Sequence, residues 1–112
     1  MQRFCSRVMR YSEDLSAEQF EANQLVRDAV LRNLELLGEA AKQIPDDVRD
    51  RHPAVPWRRI AGLRDVLAHA YFGLEEDTIW QIVNSSVPAL ADQLKAVALA
   101  EEQRLNDPSP RD

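Results

Sequence analysis

"DAVLRNLELLGEAAKQIP", residues 28–45, decides the fold. Val30, Asn33, Leu37, Ala40 and Ile44 recur at alternating intervals of three and four, continuing from Val26. That spacing places one stripe along one side of an α-helix, because residues three and four apart lie above one another. Pro45 ends the run, since its ring clashes with a preceding helical turn. Asn33 interrupts the apolar stripe and needs a buried partner or a position at the stripe's edge. Upstream, "LSAEQF" supplies a start: Ser16 as N-cap and Gln19 three residues on, the capping-box pattern. The two signals together predict one long helix running from Ser16 to Pro45.

Working outward, residues 1–13 read as a short helix with Phe4, Val8 and Tyr11 turned inward. Cys5 reads as a small apolar residue rather than a reactive thiol. "IPDDVRDRHPAVPW" is a connection divided by Pro45, Pro53 and Pro56, with room for one turn of helix at 46–51. "WRRIAGLRDVLAHAYFG", residues 57–73, is a further helix beginning near Trp57 and stopped by Gly73. After it come acids that suit the first turn of a helix, then Ile79, Val83, Leu90, Leu94 and Val97 along one side. Pro88 must kink this segment or start a new helix near Ser86. Trp57 and Trp80 read as packing residues at helix starts.

The 112 residues suit one domain with one core. With only three glycines and no alternating strand pattern, the expected architecture is an all-α antiparallel bundle of four or five helices. The domain is expected over residues 1–104, with a flexible C-terminal tail over 105–112. No apolar run approaches the roughly 20 residues needed to span a bilayer. The single cysteine excludes an intramolecular disulfide framework. No membrane association and a cytoplasmic location are the corresponding expectations. The net charge of −5 argues against nucleic-acid binding over the whole surface. The distribution is uneven, however. Arg49, Arg51, Arg58, Arg59 and Arg64 fall in a stretch that contains Asp50 as its one acid.

The chemistry concentrates on residues 57–73. At about 100° per residue, Ile60, Leu63, Val66, Leu67 and Ala70 share one arc, which is the core face. Arg64 and Tyr71 lie nearly in line on the opposite side, with Asp65 and His69 at its other border. Ala61, Ala68 and Phe72 sit between these pairs, where a solvated face would carry Lys, Glu or Gln. Small residues and an unpartnered Phe point to a covered face, covered by another helix of the bundle or by a second copy of the chain. His69 is a proton shuttle near neutral pH, and Arg64 grips phosphate through its planar fork. Asp65 is placed to orient the imidazole or to pair with Arg64. RNA cleavage without a metal needs a base, an acid and a cation beside the phosphorane, and these residue types meet that need. Arg58 and Arg59 are further candidates for RNA contact. No ligand spacing suggests a metal site, and no glycine-rich phosphate loop or nucleophile elbow suggests another chemistry or a cofactor.

"RDVLAHAY" resembles the motif of the HepT-like toxins of the HEPN superfamily: Arg, four residues, His, one residue, Tyr. The flanking "GEAAK", "PWRRIAGLRD" and "IWQIV" with "VPAL" are similar to that family's helices in order, from about Tyr11 to Val97. The resemblance implies a dimeric, all-helical, metal-independent endoribonuclease with Arg64 and His69 at the dimer cleft. It also implies a type VII toxin–antitoxin pair. The antitoxin would be an MntA-like minimal nucleotidyltransferase that neutralises the toxin by AMPylation of Tyr71. The family usually carries Asn after the motif arginine, where this chain has Asp65. The alternative is a non-catalytic helical binding module that partners such a nucleotidyltransferase.

Overall fold

The computed structural model describes residues 1–70 and 76–106; the side chains of His69, Ala70 and Glu76 also lie outside the description. Eight α-helical segments and one π-helical turn make up the described residues, with no strand among them. They are α1 (Gln2–Tyr11), α2 (Ala17–Ala22), α3 (Gln24–Lys42), α4 (Asp46–Arg51), α5 (Trp57–Ala61), α6 (Leu63–Ala70), α7 (Glu76–Gln81) and α8 (Val87–Asn106), with the π turn over Ile82–Ser86. The all-α expectation holds, with the longer predicted helices subdivided. No helix is long and apolar enough to cross a membrane among the described residues.

Helix α3 is the spine. It packs against α1, α2, α5 and α6, while α1 also meets α8. Its stripe is wider than the sequence pattern suggested, because Leu31, Leu34, Gly38 and Ala41 are buried beside Val30, Asn33 and Leu37. Cys5 and Val8 of α1 complete one side of this core, and Ile79, Val83, Val87, Leu90 and Leu94 bring the last helices onto it. Burial pushes the Cys5 thiol up to about 11, which keeps it protonated and unreactive. Phe20 of α2 meets Trp80 of α7 with ring centroids 5.4 Å apart, tying the two short helices together.

Two predicted helices are broken. The single helix expected from Ser16 to Pro45 divides at Asn23, whose backbone is extended at φ −97° and ψ 91°. The reason is local: the Asn23 side chain accepts a hydrogen bond from the Val26 amide at 3.1 Å, so Asn23 caps a new helix instead of continuing the old one. The capping box at the preceding start is present, with Ser16 and Gln19 bonded reciprocally. The helix expected from Trp57 also divides, at Gly62, where the backbone turns through φ −84° and ψ 1°. Glycine has no side chain to hold the helical geometry, and the Asp65 amide bonds back to the Gly62 carbonyl at 3.1 Å in a tighter turn. The predicted stop at Gly73 lies outside the described residues; of the tail expected over 105–112, Leu105 and Asn106 belong to α8, and residues 107–112 lie outside the description.

The irregularity expected at Pro88 takes the form of the π turn. Proline lacks the N–H that would bond to the carbonyl of Asn84, and its ring crowds that carbonyl. A wider turn over Ile82–Ser86 relieves the crowding and still buries Val83. Asn33 is buried, and its Nδ2 donates to the Ala29 carbonyl at 2.8 Å. Its Oδ1 has no partner among the described residues.

Helix α3 meets α5 and α6 closely at Gly38. A Cβ added there would lie 3.0 Å from the Ile60 carbonyl oxygen and 3.5 Å from the Leu63 Cβ. Only a residue without a side chain lets these backbones approach so far. Gly38→Val is expected to lower unfolding stability by about 2 kcal/mol or more through overpacking, read from denaturant midpoints. Asn23→Ala, which removes the cap on α3, is expected to cost about 1 kcal/mol in the same measurement.

Candidate functional site

Helix α6 turns its apolar side to the core as the spacing predicted. Leu63 and Leu67 are buried and Val66 is half-buried, and Ile60 on α5 is buried beside them. Arg64, Asp65 and Ala68 point the other way and are exposed. No helix among the described residues covers those three positions. Ala61, on the preceding segment, is half-buried against the core. His69 belongs to α6, five residues after Arg64, and its side chain lies outside the described residues. Tyr71 and Phe72 also lie outside them.

Arg58 and Arg59 are exposed on α5. Neither they nor Arg64 makes an ion pair or side-chain hydrogen bond among the described residues. That contrasts with the arginines of α4. Arg49 is paired with Asp46, three residues before it. Arg51 bonds Asp47 at 3.1 Å and also reaches Glu101 of α8. The charges of α4 are therefore largely cancelled locally, while Arg58, Arg59 and Arg64 are exposed with no ion pair among the described residues.

Between α4 and α5 lies an open cavity of about 610 Å³. Val55, Pro56 and Trp57 give it an apolar side, Arg58 and Arg59 a cationic one, and Asp50 an anionic one, with the ion-paired Asp46 and Arg49 also in its lining. Ala61 also lines it, three residues before Arg64 and separated from it by the Gly62 break. The sequence pattern did not point to this cavity. A signal was present: Asp46–Arg49 and Asp47–Arg51 have helix-pair spacing, which leaves Asp50 as the acid without a partner.

A clasp on α8 fixes the frame of the cavity. The Glu101 carboxylate accepts hydrogen bonds from Arg51 Nε at 3.1 Å and from Arg51 Nη2, and it lies 2.8 Å from His52 Nε2. The His52 carbonyl in turn accepts from the Trp57 indole at 2.9 Å, and the Ala54 carbonyl accepts from Gln93 at 3.1 Å. The α4–α5 connection is thus tied at both ends, to α8 and to the first residue of α5.

Arg51 and His52 hold the Glu101 carboxyl down at about 2, against an ordinary 4.5. Because the folded form holds its proton less tightly than the unfolded one, the clasp stabilises fully above about pH 4.5 and fades as pH falls toward 2. Glu101→Gln is therefore expected to lower the denaturation midpoint at pH 7 and to matter progressively less between pH 4.5 and pH 2. An equal loss at both ends of that range would show that the carboxylate is not what holds the connection.

The HepT-like family, described as ribonuclease HepT-like, matches residues 1–97. The protein named "Putative RNase MJ1380" of Methanocaldococcus jannaschii is 38% identical over 90 residues, covering 80% of this chain and 83% of that one. "Putative RNase TTE0752" of Caldanaerobacter subterraneus subsp. tengcongensis is 36% identical over 98 residues, covering 88% of each. "Probable ribonuclease HepT" of Thermococcus cleftensis is 39% identical over 83 residues, covering 74% of this chain and 76% of that one. No solved structure matches significantly. A match over nearly the whole helical bundle, together with relatives well above 30% identity, makes this chain a member of the ribonuclease HepT-like family.

Proposed function

We propose that this chain is a metal-independent endoribonuclease, the toxin of a type VII HEPN/MNT toxin–antitoxin pair, acting as a homodimer in the cytoplasm. The observation that carries the reading is Arg64, exposed and without an anion, on the same short helix as His69 in a ribonuclease HepT-like chain. Arg64 binds the scissile phosphate and offsets charge that develops on the phosphorane. His69 accepts the proton of the 2′-hydroxyl as that oxygen attacks phosphorus. The P–O5′ bond breaks, and a protonated imidazole donates to the leaving 5′ oxygen. The products are a 2′,3′-cyclic phosphate and a 5′-hydroxyl. A homodimer supplies two His69 side chains, one for each proton transfer. Asp65 orients the imidazole, and Arg58 and Arg59 hold phosphates on either side of the cleaved bond.

The homodimer reading rests on exposure. Arg64, Asp65 and Ala68 are uncovered among the described residues, and a second copy of the chain is the cover this reading assigns to the face around Ala68. Ala61, expected on that face, is half-buried against the core instead, and Phe72 lies outside the described residues. Tyr71 is the regulatory residue in this reading. An MntA-like nucleotidyltransferase transfers AMP to its hydroxyl, which attacks the α-phosphorus of ATP and releases pyrophosphate. By sequence spacing alone Tyr71 is seven residues from Arg64, about two helical periods, and an adenylate there would add bulk and negative charge beside a phosphate-binding arginine.

Single-turnover cleavage of single-stranded RNA in the presence of EDTA tests the chemistry. His69→Ala is expected to slow cleavage by about 10²- to 10⁴-fold, the range for loss of a general acid–base group. Arg64→Ala is expected to be comparably impaired, and Arg64→Lys to recover only part, because an ammonium lacks the bidentate fork. Cleavage by His69→Ala at the wild-type rate would overturn the assignment.

A further inference from the structure

The geometry points to the cavity between α4 and α5 as a base-selective subsite that takes a guanine of the RNA strand, next to the cleaved bond. This inference rests on the ribonuclease reading above and adds a specificity determinant, Asp50, to it. The cavity, at about 610 Å³, falls in the size range of sites for small organic ligands and has room for one nucleotide. Its walls differ in kind. Val55 and Pro56 offer an apolar surface for the flat face of a base, and Arg58 and Arg59 offer unpaired cations for the phosphates flanking it. Ala61 also lines the cavity and stands three residues before Arg64, across the Gly62 turn, so a strand whose phosphate sits on Arg64 has a neighbouring nucleotide within reach of the cavity.

Asp50 decides which base. Its carboxylate is exposed at the cavity and has no cationic partner, because Arg49 is engaged by Asp46 and Arg51 by Asp47 and Glu101. In a subsite that binds polyanionic RNA, an unpaired carboxylate repels phosphate and needs donors from the ligand. Guanine presents two on one edge, N1–H and the 2-amino group, spaced for the two oxygens of a carboxylate. Adenine and cytosine present one amino group beside an acceptor, and uracil one imino N–H between two acceptors, so each sets an acceptor against a carboxylate oxygen. A site built around a paired hydrogen bond discriminates strongly against a ligand that lacks it.

Two readouts test this, and they separate it from the cleavage reading. The first is binding of mononucleotides to the full chain, followed at the Trp57 indole N–H resonance, which reports on the cavity wall. Guanosine 5′-monophosphate is expected to bind at least about tenfold more tightly than adenosine 5′-monophosphate, with inosine 5′-monophosphate between them because it lacks the 2-amino donor. Asp50→Asn is expected to bring the guanine and adenine values together. Arg58→Ala is expected to weaken both and to keep their ratio. The second readout is cleavage of oligonucleotides that differ by one base beside a single cleavable bond, where guanine is expected to be preferred and Asp50→Asn to erase the preference. Equal binding of the two nucleotides, or a guanine preference that survives Asp50→Asn, would overturn the proposal. Asp50-dependent guanine binding by a chain that cleaves no RNA would uphold the subsite and overturn the cleavage reading instead.

Discussion

The close approach of α3 to α5 and α6 at Gly38 is the constraint on which the rest of the structure depends. A backbone carbonyl, that of Ile60, occupies the space a Cβ would need, and carbonyls do not move aside as side-chain tips do. This contact sets the depth of α5 and α6 in the bundle, with Leu37 of α3 and Ile60 and Leu63 of the two shorter helices in one buried core. Once the apolar side of α5 and α6 is fixed against the spine, its opposite side is fixed against solvent. Arg58, Arg59, Arg64 and Asp65 are exposed for that reason, and their direction follows from the packing behind them.

Much of this was legible in the sequence because the signals were local or periodic. The stripes through Val30 and Leu37 on α3 and through Leu63 and Leu67 on α6 needed only helical spacing, and Ser16 with Gln19 needed only three residues. The break at Asn23 was harder. Asn is a good N-cap, but the long stripe that follows it reads equally well as a continuation of one helix. The outcome is decided by whether its side chain or the helical ladder satisfies the Val26 amide. Gly62 posed a similar problem, since an isolated glycine is tolerated inside a helix and marks a break only when the turn beyond it tightens. The Glu101 clasp had no sequence signature. Arg51 and Glu101 are fifty residues apart, and only the return of α8 along the α4–α5 connection brings them together.

The candidate site was legible in its residue types more than in its surroundings. Arg64, His69 and Tyr71 stand out as a motif, and the run of arginines from 49 to 64 stands out as a composition shift. The sequence alone did not tell which of those arginines are neutralised. On α4 the acids at three- and four-residue spacing consume Arg49 and Arg51, whereas α5 carries no acid and α6 only Asp65. A chain of net charge −5 therefore presents a local cationic lip over a short length of its surface. Local potential, rather than the sum, governs where a polyanion docks.

Asp65 brings the electrostatics of the site to its sharpest point. It follows Arg64 directly and is exposed, yet the two form no ion pair, because adjacent residues on a helix project about 100° apart. An Asp at three- or four-residue spacing would have taken the guanidinium fork, as Asp46 takes that of Arg49. The adjacent position avoids that, leaving the fork of Arg64 open to a phosphate. The negative charge of Asp65 then acts on whatever approaches its own side of α6. His69, four residues on, is at the spacing where a helix brings two side chains together. A phosphate that displaces water from the Arg64 fork meets it at a lower effective dielectric, where the attraction is stronger.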